Sequence, residues 1–283
     1  MINPRLLLDL PINPAPSHIG GKMKIGPNGN LYFTVGDMDG SFNASKYETK
    51  AQNYNNGPSP DGRAGILRMT QDGAPVDDGI FGTMPILNLY YGYGIKNSFG
   101  FDFDPITKKM WDTENGPTFG DEINLVEPGF NSGWAKVQGV WVVNNVSERI
   151  DKRTSIESVK LENFNGKGRY SSPEFSWLAP IGPTAIVFMN SDKLGIKYQN
   201  DIFVSDIKFG NVYHFKLNND RTQLVLDGVL KDKIANTMKE NQGTIFGYGF
   251  GGITDLEVGP DGYLYVLTFD STNGAIYRIS PVS

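Results

Sequence analysis

The sequence contains no cysteine, which excludes disulfides, thiol catalysis and any zinc or iron–sulfur centre built on thiolates. Histidine occurs only twice, at His18 and His214, so imidazole chemistry has two addresses. Charged residues make up 20% of the 283 positions and the net charge is −5. That balance excludes the extended basic surface that nucleic-acid phosphates demand. No apolar run approaches the roughly 20 residues a membrane-spanning helix needs. The opening MINPRLLLDLPINPAP interrupts its short apolar patch with acid and proline, and does not read as a signal peptide. What is plentiful is glycine (34), proline (17) and aromatic side chains (12%). This composition suits short strands and tight turns, not long helices.

A weak internal repeat organises the chain. Gly26-Pro27-Asn28-Gly29-Asn30-Leu31-Tyr32-Phe33-Thr34-Val35 returns as Gly259-Pro260-Asp261-Gly262-Tyr263-Leu264-Tyr265-Val266-Leu267-Thr268. Looser copies lie at 103–111 and 198–204. In each, a polar turn feeds an apolar strand, and the Asn-Gly and Asp-Gly pairs supply the positive φ of a tight hairpin. A further strand follows at Gly65–Met69, Asn211–Leu217 and Gly274–Ile279. Roughly four such units are countable, the pattern of propeller blades. A β-sandwich also has regularly spaced short strands, but a hairpin motif recurring so far along the chain favours the propeller. Residues 1–283 therefore read as one all-β domain. Residues 141–170, polar and weakly patterned, read as an insertion between blades.

Propellers hold ligands over the central channel, on loops at strand ends, so polar clusters in such loops are the candidates. His18 lies in the glycine-rich Ser17–Lys22 segment, and Asp37 ends the strand that follows. A carboxylate within reach of a histidine orients the ring and stabilises its protonated form, the requirement for a general base. An isolated turn histidine is more often simply solvated. His214, inside a strand, reads as a packing residue. Lys96 and Asn97 place a cation and an amide between glycines. Glu114-Asn115-Gly116-Pro117 and Asp121-Glu122 offer oxygen donors to a hard cation such as calcium, although their spacing is not that of an EF-hand. Lys208 lies in a turn between two strands, where solvent is a lysine's usual surrounding.

As an ordered set these motifs resemble the glucose/sorbosone dehydrogenase family, the soluble six-bladed quinoprotein sugar dehydrogenases. The resemblance runs from about Leu6 to Ile279. It rests on His18-Ile-Gly-Gly with Gly36-Asp37, Gly65-Ile-Leu-Arg68, Gly94-Ile-Lys-Asn97 with Phe103-Asp-Pro105, Glu114-Asn-Gly-Pro117 with Asp121-Glu-Ile-Asn-Leu125 and Gly133-Trp134, Lys208 with Gly210, and the stretch Asp255 to Arg278. The resemblance implies oxidation of an aldose to its lactone with pyrroloquinoline quinone (PQQ) and Ca2+. It assigns His18 as general base assisted by Asp37, with Lys96 beside them. Asn97 and Lys208 would contact the cofactor, Asp121 would line the pocket, and the carbonyls of Gly116 and Pro117 would hold calcium.

Two departures carry chemical weight. Lys96 stands where the family typically has arginine, which keeps the charge but loses the planar fork suited to carboxylates and quinone oxygens. Gly252 and Thr254 stand where it typically has two arginines before the final aspartate, here Asp255. Each lost charge-assisted contact to a tricarboxylate costs about 1.5–3 kcal/mol. The family pattern further implies an N-terminal blade region that is missing here, an electron acceptor as partner, a homodimer, and an extracellular or periplasmic setting. Two alternatives remain beside the enzyme: a propeller that binds glycan or protein without catalysis, and a calcium-dependent lactonase-like hydrolase.

Overall fold

The repeated turn occupies the same place in four antiparallel sheets of the computed structural model, which describes residues 3–12, 17–38, 49–144, 147–270 and 272–281. The first sheet comprises β1 (Met23–Ile25), β2 (Leu31–Val35), β3 (Gly65–Met69) and β4 (Tyr90–Tyr93), extended by two short strands at its far edge. The second comprises β5 (Ser98–Phe103), β6 (Met110–Glu114), β7 (Asp121–Val126) and β8 (Phe175–Trp177), with Ile234–Ala235 added at its edge. The third contains β9 (Pro183–Phe188), β10 (Ile202–Asp206), β11 (Val212–Phe215) and β12 (Ile245–Gly247). The fourth contains β13 (Gly252–Val258), β14 (Leu264–Phe269) and β15 (Gly274–Ile279).

Each copy of the repeat is thus the turn joining the first strand of a sheet to its second. Gly29 and Gly262, at φ 78° and 81°, adopt the left-handed conformation that such a turn asks of its glycine. The helices among the described residues are short 3-10 turns, and none is long and apolar enough to cross a membrane.

Alternation along the strands feeds two faces per sheet, and consecutive sheets bury those faces against each other. Tyr32, Ile66, Phe101 and Val126 fill the space between the first and second sheets. Trp111, Phe175, Trp177, Ile186 and Tyr213 fill the next, and Val187, Phe203, Ile253, Leu264 and Val266 the one after. In β10, Val204 serves the second of these cores while its neighbour Phe203 serves the third. Burying each large side chain contributes roughly 1.5–3 kcal/mol, so the loops stand on a stiff frame. First strands also neighbour one another, β9 touching both β5 and β13. This is the radial order of a β-propeller. The described sheets do not close a ring, and Leu267, Phe269 and Ile276 of the fourth sheet are exposed.

The 141–170 segment is more integrated than its polar composition suggests. Trp141–Asn144 pairs with Val137–Gln138 and Arg149–Ile150. Phe164 is buried beside Phe81 and Tyr93.

Up-and-down order fixes where the chemistry lies. Entry into a sheet's first strand and the link from its second to its third fall at the same end. His18, Asp37, Lys96, Asn97, Gly116, Pro117, Asp121, Lys208, Gly252 and Thr254 all occupy such positions. The fold therefore collects them at one end of the molecule.

Candidate active site

His18 adopts φ 53° and lies against Gly36, where a Cβ would sit 2.4 Å from the His18 carbonyl oxygen. Glycine at 36 therefore lets the His18 loop rest on the end of β2. Asp37, buried, then faces the imidazole, its Oδ1 2.6 Å from His18 Nδ1. A carboxylate only accepts, so Nδ1 carries the hydrogen and Nε2 presents its lone pair. That lone pair meets Lys96 Nζ at 3.2 Å. The Lys96 carbonyl in turn accepts the Asp37 backbone N–H at 2.8 Å, tying the two loops together.

Lys96 is 4% exposed, and burial pulls its pKa below the usual lysine range, opposed first by Asp37 and then by Glu114. Glu114 supports the same residue from below: its Oε1 accepts the Lys96 backbone N–H at 2.7 Å. Glu114 faces Glu122 across β6 and β7, and the Ser132 hydroxyl lies 2.7 Å and 3.1 Å from their respective Oε2 atoms. One hydroxyl hydrogen cannot serve both carboxylates. Burial pushes both pKa values up, that of Glu122 to about 8, with the neighbouring carboxylate adding to the rise at Glu114.

Asn97 continues the Lys96 loop. Its carbonyl accepts the Asn115 N–H at 2.9 Å, while its own buried Oδ1 has no hydrogen-bond partner. Gly116 sits in a tight loop in which a Cβ would come 1.9 Å from the Phe119 carbonyl oxygen. The carbonyls of Gly116 and Pro117 accept no hydrogen bond from the described residues. Asp121 anchors this loop from behind. Its Oδ1 takes the Gly116 N–H at 2.8 Å, and its Oδ2 takes those of Ile181 and Gly182 at 2.7 and 2.8 Å. Burial raises its pKa to about 6 against the pull of those donors.

The structure thus brings His18, Asp37 and Lys96 into direct contact and joins Asn97, Gly116 and Asp121 to them through the Asn115 loop. Lys208 stands apart. Its ammonium donates to the Pro180 carbonyl at 3.1 Å and lies 5.2 Å from the Phe209 ring centroid. Among the described residues its link to the cluster runs through the 180–182 segment that Asp121 holds. His214 is paired too, Nε2 lying 2.8 Å from Asp201 Oδ2, beside the aromatic rings of Tyr198 and Phe203. Asp201 ends a first-to-second connection, so this pair sits at the opposite end.

Sequence reasoning assigned no role to Trp134. Its indole Nε1–H donates to Asp37 Oδ2 at 2.8 Å, and Lys96 Nζ lies 5.6 Å from its ring centroid. Nothing in the local pattern names the acceptor, which lies 97 positions earlier. Lys22 was likewise unassigned. It pairs with Asp255, both carboxylate oxygens at 2.8 Å, and so links the His18 loop to β13 beside Thr254.

A family model described as Glucose / Sorbosone dehydrogenase matches residues 5–278, nearly the whole of this arrangement. The chain belongs to the glucose/sorbosone dehydrogenase family. Among members of that family, the aldose sugar dehydrogenase YliI of Escherichia coli (strain K12) is 28% identical over 270 residues, covering 94% of this chain and 60% of that protein. The quinoprotein glucose dehydrogenase B of Acinetobacter calcoaceticus is 25% identical over 315 residues, covering 95% and 62%. The chain therefore spans about 60% of the length of these curated relatives. In fold, it is similar to the PQQ-bound aldose sugar dehydrogenase of Streptomyces coelicolor, with a TM-score of 0.61 at 18% identity, covering 95% of this chain and 64% of that one.

Proposed function

We propose that the chain carries the proton-accepting half of an aldose-oxidising site that works with PQQ and calcium and yields the lactone. The observation that carries this reading is the His18–Asp37 pair, closed to 2.6 Å and placed at the loop end of a sugar-dehydrogenase-family propeller. Oxidising an aldose at its anomeric carbon removes a hydride from carbon and a proton from the hydroxyl. His18 Nε2 is the atom for the proton, since Asp37 holds Nδ1 and stabilises the imidazolium that forms. Lys96 caps the same lone pair in the resting arrangement, so a substrate hydroxyl takes the place of its ammonium.

The residues of the chain fit both groups. The Gly116 and Pro117 carbonyls are hard donors uncommitted among the described residues, two of the six to eight oxygens calcium takes, and the unpartnered Oδ1 belongs to Asn97, whose carbonyl accepts the N–H of Asn115, next to Gly116. PQQ would supply a two-electron acceptor and calcium a Lewis acid. Lys96 and Lys22 supply cations near that end, in place of the arginines missing at 252 and 254. Lys208, in a neighbouring loop, stays part of the proposed cofactor contact and Asp121 part of the pocket's frame. The reading includes a further electron acceptor and export from the cytoplasm.

The missing arginines favour one competing reading, a propeller that binds a saccharide without oxidising it. Reconstitution with PQQ and calcium, followed by aldose-dependent dye reduction, separates the two. Turnover supports the oxidoreductase. Saccharide binding without turnover supports the binding module.

A further inference from the structure

We propose that Trp134 is a positioning residue that fixes the tautomer of His18 by holding the partners of both its ring nitrogens. The one indole touches Asp37, which engages Nδ1, and faces Lys96, which engages Nε2. An indole N–H is only a donor, so Asp37 Oδ2 must accept from it, and the carboxylate is then turned to present Oδ1 to the imidazole. The ring face does the corresponding work for the lysine, since an ammonium near an indole face is attracted by its quadrupole.

Trp134 is itself held firmly. It is 3% exposed and packs with Phe119 and Val143. Its backbone N–H donates to the Gly94 carbonyl at 3.0 Å, and its backbone carbonyl accepts from Asn53 Nδ2 at 2.8 Å. Asn53 is locked in turn by a reciprocal amide pair with Asn131, at 2.9 and 2.8 Å. Removing the indole N–H would take away the donor that engages Oδ2, and so one restraint on the carboxylate and on the imidazole it orients.

The two-histidine composition makes the test direct. Nitrogen-15 shifts of the neutral imidazoles distinguish the Nδ1–H from the Nε2–H tautomer. The unmodified protein should show His18 as Nδ1–H and His214, whose Nε2 meets Asp201, as Nε2–H. Trp134→Phe keeps a ring in the cavity and loses the donor, and should leave His18 a mixture of tautomers. Unchanged His18 shifts in that variant would overturn the proposal.

Should Trp134→Phe not fold, Asp37→Asn provides the second measurement. The Trp134 indole N–H resonance should move in it, and an unmoved resonance would equally overturn the proposal. A kinetic arm rests on the oxidoreductase reading: Trp134→Phe should lower kcat about tenfold with KM within about twofold. The spectroscopic arms need no turnover, so failure of that reading leaves them intact.

Discussion

Asp112 stands opposite Asn124 in the ladder of β6 and β7, fully buried, and neither of its carboxylate oxygens receives a hydrogen bond of normal geometry. The Asn124 amide donates one of its two N–H groups to Glu122 Oε2 at 3.0 Å, and its pull on Asp112, with that of Ser98, only partly offsets burial. Desolvation therefore dominates, pushing the pKa of Asp112 up to about 7. The folded protein binds this proton more tightly than the unfolded chain, whose aspartates titrate near 3.9. The group's stabilising effect is complete below about pH 4 and is lost progressively as pH rises towards 7. The penalty at pH 8 is on the order of 4 kcal/mol by linkage.

Asp112→Asn should thus flatten the pH dependence of stability. Urea unfolding between pH 4 and 8 checks it. The variant should gain on the unmodified protein as pH rises. Parallel curves for the two proteins would show that Asp112 is not the group responsible.

Replacing His18 tests the base. His18→Gln should lower aldose-dependent dye reduction by about 10²–10⁴-fold, the usual weight of general-base catalysis. Quinone binding, followed by its absorbance, should change little. Retained turnover would move the proton acceptor elsewhere.

The glycine at 116 is steric in origin, since a Cβ would strike the Phe119 carbonyl oxygen. Gly116→Ala must shift the loop whose carbonyls are proposed to hold calcium. Calcium added with PQQ should raise the Tm of the unmodified protein by several degrees and that of the variant much less. Equal shifts would take calcium away from this loop.

Positions 252 and 254 make opposite predictions. Thr254 is exposed, so Thr254→Arg should be accommodated and should tighten PQQ about tenfold, the worth of one charge-assisted contact. At Gly252 a Cβ would sit 2.9 Å from both the Phe269 carbonyl oxygen and the Ile207 side chain. Gly252→Arg should lower Tm. Calorimetric titration and thermal melts separate the two outcomes.

Much of this was legible in the sequence because it is local. The Gly-Pro-Asx-Gly turn encodes its own backbone, so its two copies marked the first hairpins of the first and fourth sheets, and looser polar turns marked those of the other two. Loops at one end could be picked out because strands alternate direction. His18 and Lys96 were singled out by glycine-rich loops and Asp37 by a strand end, with their roles implied by the family resemblance. Trp134 and Ser132 were not, because what each does depends on a partner brought near only by the packing of sheets. Asp121 shows the same gap. The family resemblance marked it for the pocket, and only the fold reveals three backbone N–H groups gathered on its carboxylate. Val142, Val143 and Phe164 are buried in a stretch whose polar composition hid them.

The central claim is that the His18–Asp37 pair serves sugar oxidation with a quinone. Its most direct test is dye reduction by the chain reconstituted with PQQ and calcium, assayed across a panel of aldoses beside His18→Gln. Turnover is expected on at least one aldose, requiring both additions and collapsing in the variant. Failure to bind PQQ at micromolar concentration, or turnover indifferent to His18, would contradict it.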